Sequence, residues 1–311
     1  MIFIIHVAPF RSDISPITDN INFVLLQCLC RVAVPFYFVC SGFFLFRKMP
    51  IYDPNVDFIK NYCYKMLRLF ATWNLLLFFG PKDQLWYLSG TVVAVVLLSL
   101  CFHFRIKFGF ICLLSCLLYA IGLLGDSYHG LIPPFAEISI IRALRNNYIR
   151  FFETTRNGVF MGFIFVLMGA SFSQYKVRLK ALPAAIGFLL SLICLLIETY
   201  LLEHHRIPIE YNMFISLLPA AYCLFSFAYS VQLKDRPIYK HLRNIGVWFY
   251  YLHLAVSRIV YLSSGWLDQH LNTGILNPVF VFPLPITLLI AAFLDWLSGR
   301  EKFKWLNWLI T

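Results

Sequence analysis

The chain has 311 residues, of which 60% are apolar, 18% aromatic and only 13% charged. Soluble domains run near 45–50% apolar and about 25% charged. With a mean hydropathy of +0.73, a soluble globular enzyme is excluded and an integral membrane protein is predicted. The formal charge of +11 reads as Lys and Arg gathered in cytoplasmic loops, so no nucleic-acid partner is expected.

Apolar stretches fall at 1–10, 21–46, 67–80, 85–104, 108–125, 158–175, 181–202, 212–232, 244–262 and 275–297. Lone strands would leave backbone groups unpaired in lipid, so these are read as helices. The expected fold is all-α: one polytopic bundle of about ten transmembrane helices over 1–311, with no separate soluble domain. A span needs about 20 residues, which makes the first stretch too short and the third marginal. The longest break, 126–157, holds Pro133, Pro134 and four arginines and reads as a re-entrant or interfacial element. If the first stretch runs outward, seventeen basic loop residues face the cytoplasm and seven face outside. Both termini are then cytoplasmic, in a bacterial inner or plasma membrane.

Nine cysteines lie mostly inside apolar runs and form no CxxC pair, so neither a disulfide framework nor a metal site is expected. Ionisable groups inside a membrane are costly and mark function by default. Here they are His6, Arg31, Glu198, His253, Arg258 and Asp295. His6 precedes Pro9 and the outer loop, where it can exchange a proton near neutral pH; a helix-end histidine bonded to a carbonyl is the plainer alternative. In PFYFVCSGFF at 35–44, Pro35 would free a carbonyl within a helix, and Ser41–Gly42 would let a second backbone approach closely. Gly158 and Gly162 form a GxxxG, a packing pattern. Lys65 and Arg68 share a helix face and suit phosphates, or else ordinary positive-inside anchoring. Arg142, Arg145, Glu153 and Arg156 could line an outer vestibule. P-loop, GxGxxG, HExxH and GxSxG patterns are missing, which disfavours nucleotide hydrolysis and metalloprotease chemistry.

Four stretches taken in order resemble the acyltransferase family 3 membrane proteins: the run ending in His6, PFYFVCSGFF, QLWYL at 84–88 and RNGVFMGFIFVLMGA at 156–170; YNMFISLLP at 211–219 and WFYYLH at 248–253 also look like that family's late helices. The resemblance implies transfer of an acyl group, commonly acetyl, from cytoplasmic acyl-CoA to a hydroxyl of an extracytoplasmic carbohydrate. It gives His6 the role of base, Arg156 a place at the acyl or acceptor site, and Lys65, Arg68 and Ser41 the holding of acetyl-CoA. Trp86, Glu153, Tyr250 and His253 become substrate or structural polar residues. An arginine that the family carries ahead of its first-helix histidine would fall before Met1, so a start further upstream is expected. A transporter using the same polar cavity and an inactive, shortened family member are the alternatives.

Overall fold

The structure, a computed structural model, describes residues 1–12, 15–50, 52–78, 83–131, 154–175, 178–231, 233–263 and 273–311. Among these residues the chain is helical, and the β contact is an isolated bridge between Phe10 and Leu276. The helices are α1 (Ile2–His6), α2 (Pro16–Gln27), α3 (Ala33–Phe46), α4 (Val56–Leu76), α5 (Trp86–His103), α6 (Phe108–Leu124), α7 (Gly158–Tyr175), α8 (Ala181–His204), α9 (Leu217–Ser230), α10 (Ile238–Leu262) and α11 (Pro278–Ser298). A 3-10 segment, Glu301–Leu309, follows α11.

Among the described residues, six apolar segments are long enough to cross a membrane: Pro16–Phe46, α5, α7, α8, α10 and α11. The expected ten are thus not all of spanning length. Helices α6 and α9 are apolar but shorter, and α1 has only five residues. The segment expected at 67–80 is really α4, which begins at Val56 and carries Asp57, Lys60, Lys65 and Arg68. Its buried Leu69 and Trp73 belong to one face, so the apolar run in the sequence was the inner stripe of an amphipathic helix. Of the 126–157 break, residues 132–153 lie outside the described residues, and Glu153, Arg142 and Arg145 with them.

The chain packs as two compact units. Unit 1 comprises Met1–Leu26, Tyr64–Leu88 and Gln232–Thr311; unit 2 comprises Gln27–Cys63 and Ser89–Val231. The core of unit 1 gathers Leu69, Trp73, Leu85, Trp248, Tyr251 and Ala291. There the Trp73 and Tyr251 rings stack, with centroids 4.4 Å apart and planes 6° from parallel.

In unit 2, α3 packs along α7, and two glycines set the spacing. A Cβ on Gly42 would lie 2.1 Å from the Val166 carbonyl oxygen, and one on Gly169 would lie 2.0 Å from that of Val39. The close approach expected at Ser41–Gly42 is therefore present. Pro35 does not free a carbonyl in mid-helix. A 3-10 turn at Leu29–Val32 interrupts the run, and Pro35 falls in the first turn of α3, where its missing N–H costs little. Gly158 of the GxxxG approaches the Gly90 carbonyl, with a Cβ-to-oxygen separation of 2.2 Å. Apolar side chains along α8, among them Leu182, Ile186, Leu189, Ile193 and Ile197, are exposed, as lipid-facing residues must be.

Candidate functional site

In unit 1, Pro9–Arg11 is pinned on two sides. Arg11 N–H donates to the Ile275 carbonyl (3.0 Å), and Asn277 N–H donates to that of Pro9 (2.9 Å). From α2, the Asn22 amide clamps Phe10 in both directions. It accepts from the Phe10 N–H at 3.1 Å and donates to the Phe10 carbonyl at 2.9 Å. The Thr18 hydroxyl holds the Arg11 carbonyl at 2.8 Å. An irregular segment near the membrane thus has its backbone satisfied by protein.

These restraints shape a cavity of about 400 Å³ whose polar lining comes from His6, Arg11, Ser12, Tyr261 and Asn277. The Asn277 oxygen accepts from the Val279 N–H, capping α11, so the amide nitrogen remains as a donor at the wall. Behind His6 stands His253 of α10, with ring centroids 5.7 Å apart. The His253 ring is fully buried, stacked on Phe249 and edged by Phe3. Its Nδ1 lies 2.9 Å and 3.1 Å from the carbonyls of Tyr250 and Phe249. Two acceptors there require the proton on Nδ1, so Nε2 is a lone-pair acceptor. That Nε2 is buried without a hydrogen-bond partner among the described residues. Next to it, the Tyr250 hydroxyl donates to the Gln84 carbonyl, which ties α10 to the turn before α5. Trp86 is half-buried at the start of α5.

The other predicted residues lie elsewhere. Lys65 and Arg68 are on α4, and Arg68 donates to the Trp308 carbonyl at 3.1 Å with its guanidinium 4.6 Å from the Trp308 ring. Ser41 and Arg156 belong to unit 2, where the Ser41 hydroxyl meets that of Tyr62. Arg156 precedes Asn157, whose side chain caps α7 by accepting from the N–H groups of Val159 and Phe160.

Sequence reasoning missed a buried polar network in unit 2. The fully buried Asp126 accepts from the backbone N–H groups of Asn212 (2.8 Å) and Met213 (3.1 Å) and from the Asn212 side chain (3.0 Å). Arg31 donates to Asn212 Oδ1 at 2.7 Å and also to Gln27. Burial raises the Asp126 pKa despite its hydrogen bonds. Glu198 accepts from the Tyr128 hydroxyl (2.6 Å) and from the N–H groups of Ile215 (2.7 Å) and Ser216 (2.9 Å). The available signals were Arg31 and Glu198, already singled out as intramembrane charges, and Asp126 at the end of an apolar helix. Unit 2 also holds a cavity of about 460 Å³, but it is walled mostly by Phe108, Met168, Phe172, Tyr175 and Tyr222. Among the described residues no group of three or more His, Cys, Asp or Glu is placed to hold a metal.

Comparison with known proteins overturns the acyl-transfer reading. The chain is 28% identical to an amino-acid racemase of Enterococcus faecalis, over 76% of its own length and 35% of that protein. It is 27% identical to a serine/alanine racemase of Enterococcus gallinarum, over 91% of its length and 42% of the relative. A second Enterococcus faecalis amino-acid racemase is 25% identical over 90% and 42% respectively. No family model matches the chain, and no solved structure matches it. Its curated relatives are isomerases by name, which corrects the family, the transferase class, the O-acetylation of carbohydrate and the acyl-CoA co-substrate together. The CoA-holding role of Lys65, Arg68 and Ser41 falls with them, and the transport alternative gains no support. The chain spans well under half the length of these relatives.

Proposed function

We propose that this chain is the membrane-embedded part of an amino-acid racemase-type protein, and that it holds a small amino acid of the serine and alanine class in the cavity of unit 1. The observation that carries this reading is the composition of the cavity wall, taken with two relatives matched over about nine-tenths of the chain, one named a serine/alanine racemase and one an amino-acid racemase. A small amino acid offers a carboxylate, an ammonium and a short side chain. Arg11 supplies a planar fork for the carboxylate, Asn277 and Ser12 supply neutral hydrogen bonds, and His6 accepts from the ammonium or a side-chain hydroxyl. Because the match covers well under half of each relative, the reading gives this chain the holding of substrate and not the whole reaction. The loop-charge count, taken over the spans expected from the sequence, supports cytoplasmic termini.

The test is binding of radiolabelled L- and D-serine and L- and D-alanine to the purified chain in lipid nanodiscs, with chiral chromatography of the recovered ligand. Saturable binding that falls at least about tenfold in Arg11→Ala is expected, since a charge-assisted hydrogen bond contributes about 1.5–3 kcal/mol. Absence of saturable binding, or affinity untouched by Arg11→Ala and Asn277→Ala, would refute the reading. Inverted ligand in the recovered pool would show that the matched portion itself carries the isomerisation.

A further inference from the structure

A second polar cluster in unit 1 surrounds the start of α10 and the end of α11. Asp295, buried near the end of α11, accepts from Asn244 Nδ2 at 2.9 Å and holds His241 Nδ1 at 2.6 Å. The His241 side chain is 59% exposed, so a buried carboxylate orients an imidazole that faces outward. Arg243 turns back onto Asn244, 3.1 Å from its side-chain oxygen. The 3-10 segment is tied to this end, because Asn307 Nδ2 donates to the Ser298 carbonyl at 3.0 Å. Arg68 reaches the same segment through the Trp308 carbonyl, and Arg300 lies 4.5 Å over the Trp296 ring.

The charge there is one-sided. Lys65, Arg68, Arg243 and Arg300 stand beside two described carboxylates that are already engaged: Asp295 as above, and Glu301 with Lys304 at 2.5 Å. Burial, and then the neighbouring Arg68 and Arg243, hold the Lys65 pKa below its ordinary value. Trp296, Trp305 and Trp308 are 54%, 61% and 49% exposed. Exposed tryptophans among lysines and arginines, where spanning helices end, are the composition of a membrane–water interface. A soluble phosphate compound would have no use for three tryptophans.

We propose that this end of unit 1 binds the headgroup of an anionic phospholipid, with Lys65, Arg68 and Arg243 on the phosphate, His241 beside them, and Trp296 and Trp308 at the level of the glycerol backbone. The seventeen-to-seven count of loop charges puts it at the cytoplasmic leaflet, where anionic lipids attract basic clusters. The site is independent of the amino-acid cavity, and either can fail without the other.

The test uses the full chain, delipidated in a non-ionic detergent and titrated with phosphatidylglycerol or phosphatidylcholine in mixed micelles. Lipid retention is read by native mass spectrometry, alongside the thermal midpoint. Phosphatidylglycerol is expected to be retained and to raise the midpoint, with phosphatidylcholine doing neither. Lys65→Ala and Arg243→Gln should each weaken retention about fivefold, and raised salt should weaken it further. Lys107→Ala and Lys180→Ala, both in unit 2, should leave it unchanged. Arg68 also packs on Trp308, so Arg68→Ala is read only if its midpoint without lipid matches wild type; Lys65→Ala and Arg243→Gln decide the matter otherwise. Equal retention of the two lipids, or no effect of either decisive variant, overturns the proposal. So does inorganic pyrophosphate displacing phosphatidylglycerol at equal concentration, which would make this a soluble-phosphate site.

Discussion

Replacing Gly169 by alanine tests whether backbone proximity or apolar character holds α3 against α7. The added Cβ would lie 2.0 Å from the Val39 oxygen and 2.6 Å from the Phe43 nitrogen, whereas real Cβ contacts stay beyond 3.0 Å. The helices must therefore part by about 1 Å (3.0 minus 2.0), because both obstacles are backbone and neither can rotate aside. Overpacking costs roughly 1–3 kcal/mol, and a clash with two fixed backbone atoms belongs at the upper end. Alanine returns about 1 kcal/mol of helix propensity, leaving a net loss of about 2 kcal/mol. Gly246 on α10 is the control: it is exposed, nothing lies within 4 Å of its added Cβ, and Gly246→Ala should gain up to about 1 kcal/mol. Unfolding in mixed micelles with increasing SDS, followed by tryptophan fluorescence, should separate the two variants by about 3 kcal/mol, with opposite signs. Gly169→Ala as stable as Gly246→Ala would refute the argument.

Two further outcomes follow from unit 2. Glu198→Gln brings amide hydrogens against donors that now face a carboxylate, and should cost about 1–3 kcal/mol. A cycle with Tyr128→Phe should show non-additivity above about 0.5 kcal/mol, and simple additivity would remove the Tyr128–Glu198 bond from the account. Asp126 governs a pH effect whose sign is fixed by its raised pKa. An acid with a higher pKa folded than unfolded binds more protons when folded. Stability therefore falls as pH rises from about 3.8 through the folded value, and is level above it. The difference in thermal midpoint between wild type and Asp126→Asn, taken across pH 3 to 8, should change only within that window. A difference constant over the range would contradict the assigned cause.

The spanning helices were legible because length and apolar content declare them, and α5, α7, α8, α10 and α11 fall close to the expected ranges. Helix α4 was clipped because Asp57, Lys60 and Lys65 interrupt its hydropathy while its periodicity continues. Of the ionisable residues read as intramembrane, Arg31, Glu198, His253, Arg258 and Asp295 fall in segments of spanning length and His6 does not; their partners were out of reach. Arg31 meets Asn212 across 181 positions, Tyr128 meets Glu198 across 70, and His241 meets Asp295 across 54. The functional reading failed for a physical reason. Several stretches that carried the family resemblance have packing or capping roles here: Gly42 lets α3 approach α7, Asn157 caps α7, and Gly158 admits the Gly90 carbonyl. Close-packed membrane helices reuse such small-residue patterns whatever they catalyse, so the similarity tracked helix packing and not chemistry.

The partners of these intramembrane residues show which of them have a structural role. A charged group in a membrane costs about 2.5–3.5 kcal/mol on insertion scales, and a structural role is shown by partners that offset this. Arg31 places both terminal nitrogens on side-chain amides, Glu198 collects three donors, Asp295 holds His241 and Asn244, and Arg258 lies over Tyr261. Two of the intramembrane residues keep a buried polar atom without a partner among the described residues: Arg31 at Nε and His253 at Nε2. The His253 Nδ1 is satisfied by helix carbonyls, and its ring stands behind His6. An unpaired buried acceptor such as His253 Nε2 costs about 1–3 kcal/mol, and replacing the imidazole by an apolar ring of similar size would remove that penalty. Of the two α10 histidines, His241 therefore has a structural partner that explains it. His253, about 18 Å further along the same helix by a rise of 1.5 Å over twelve residues, stands beside His6, which lines the cavity.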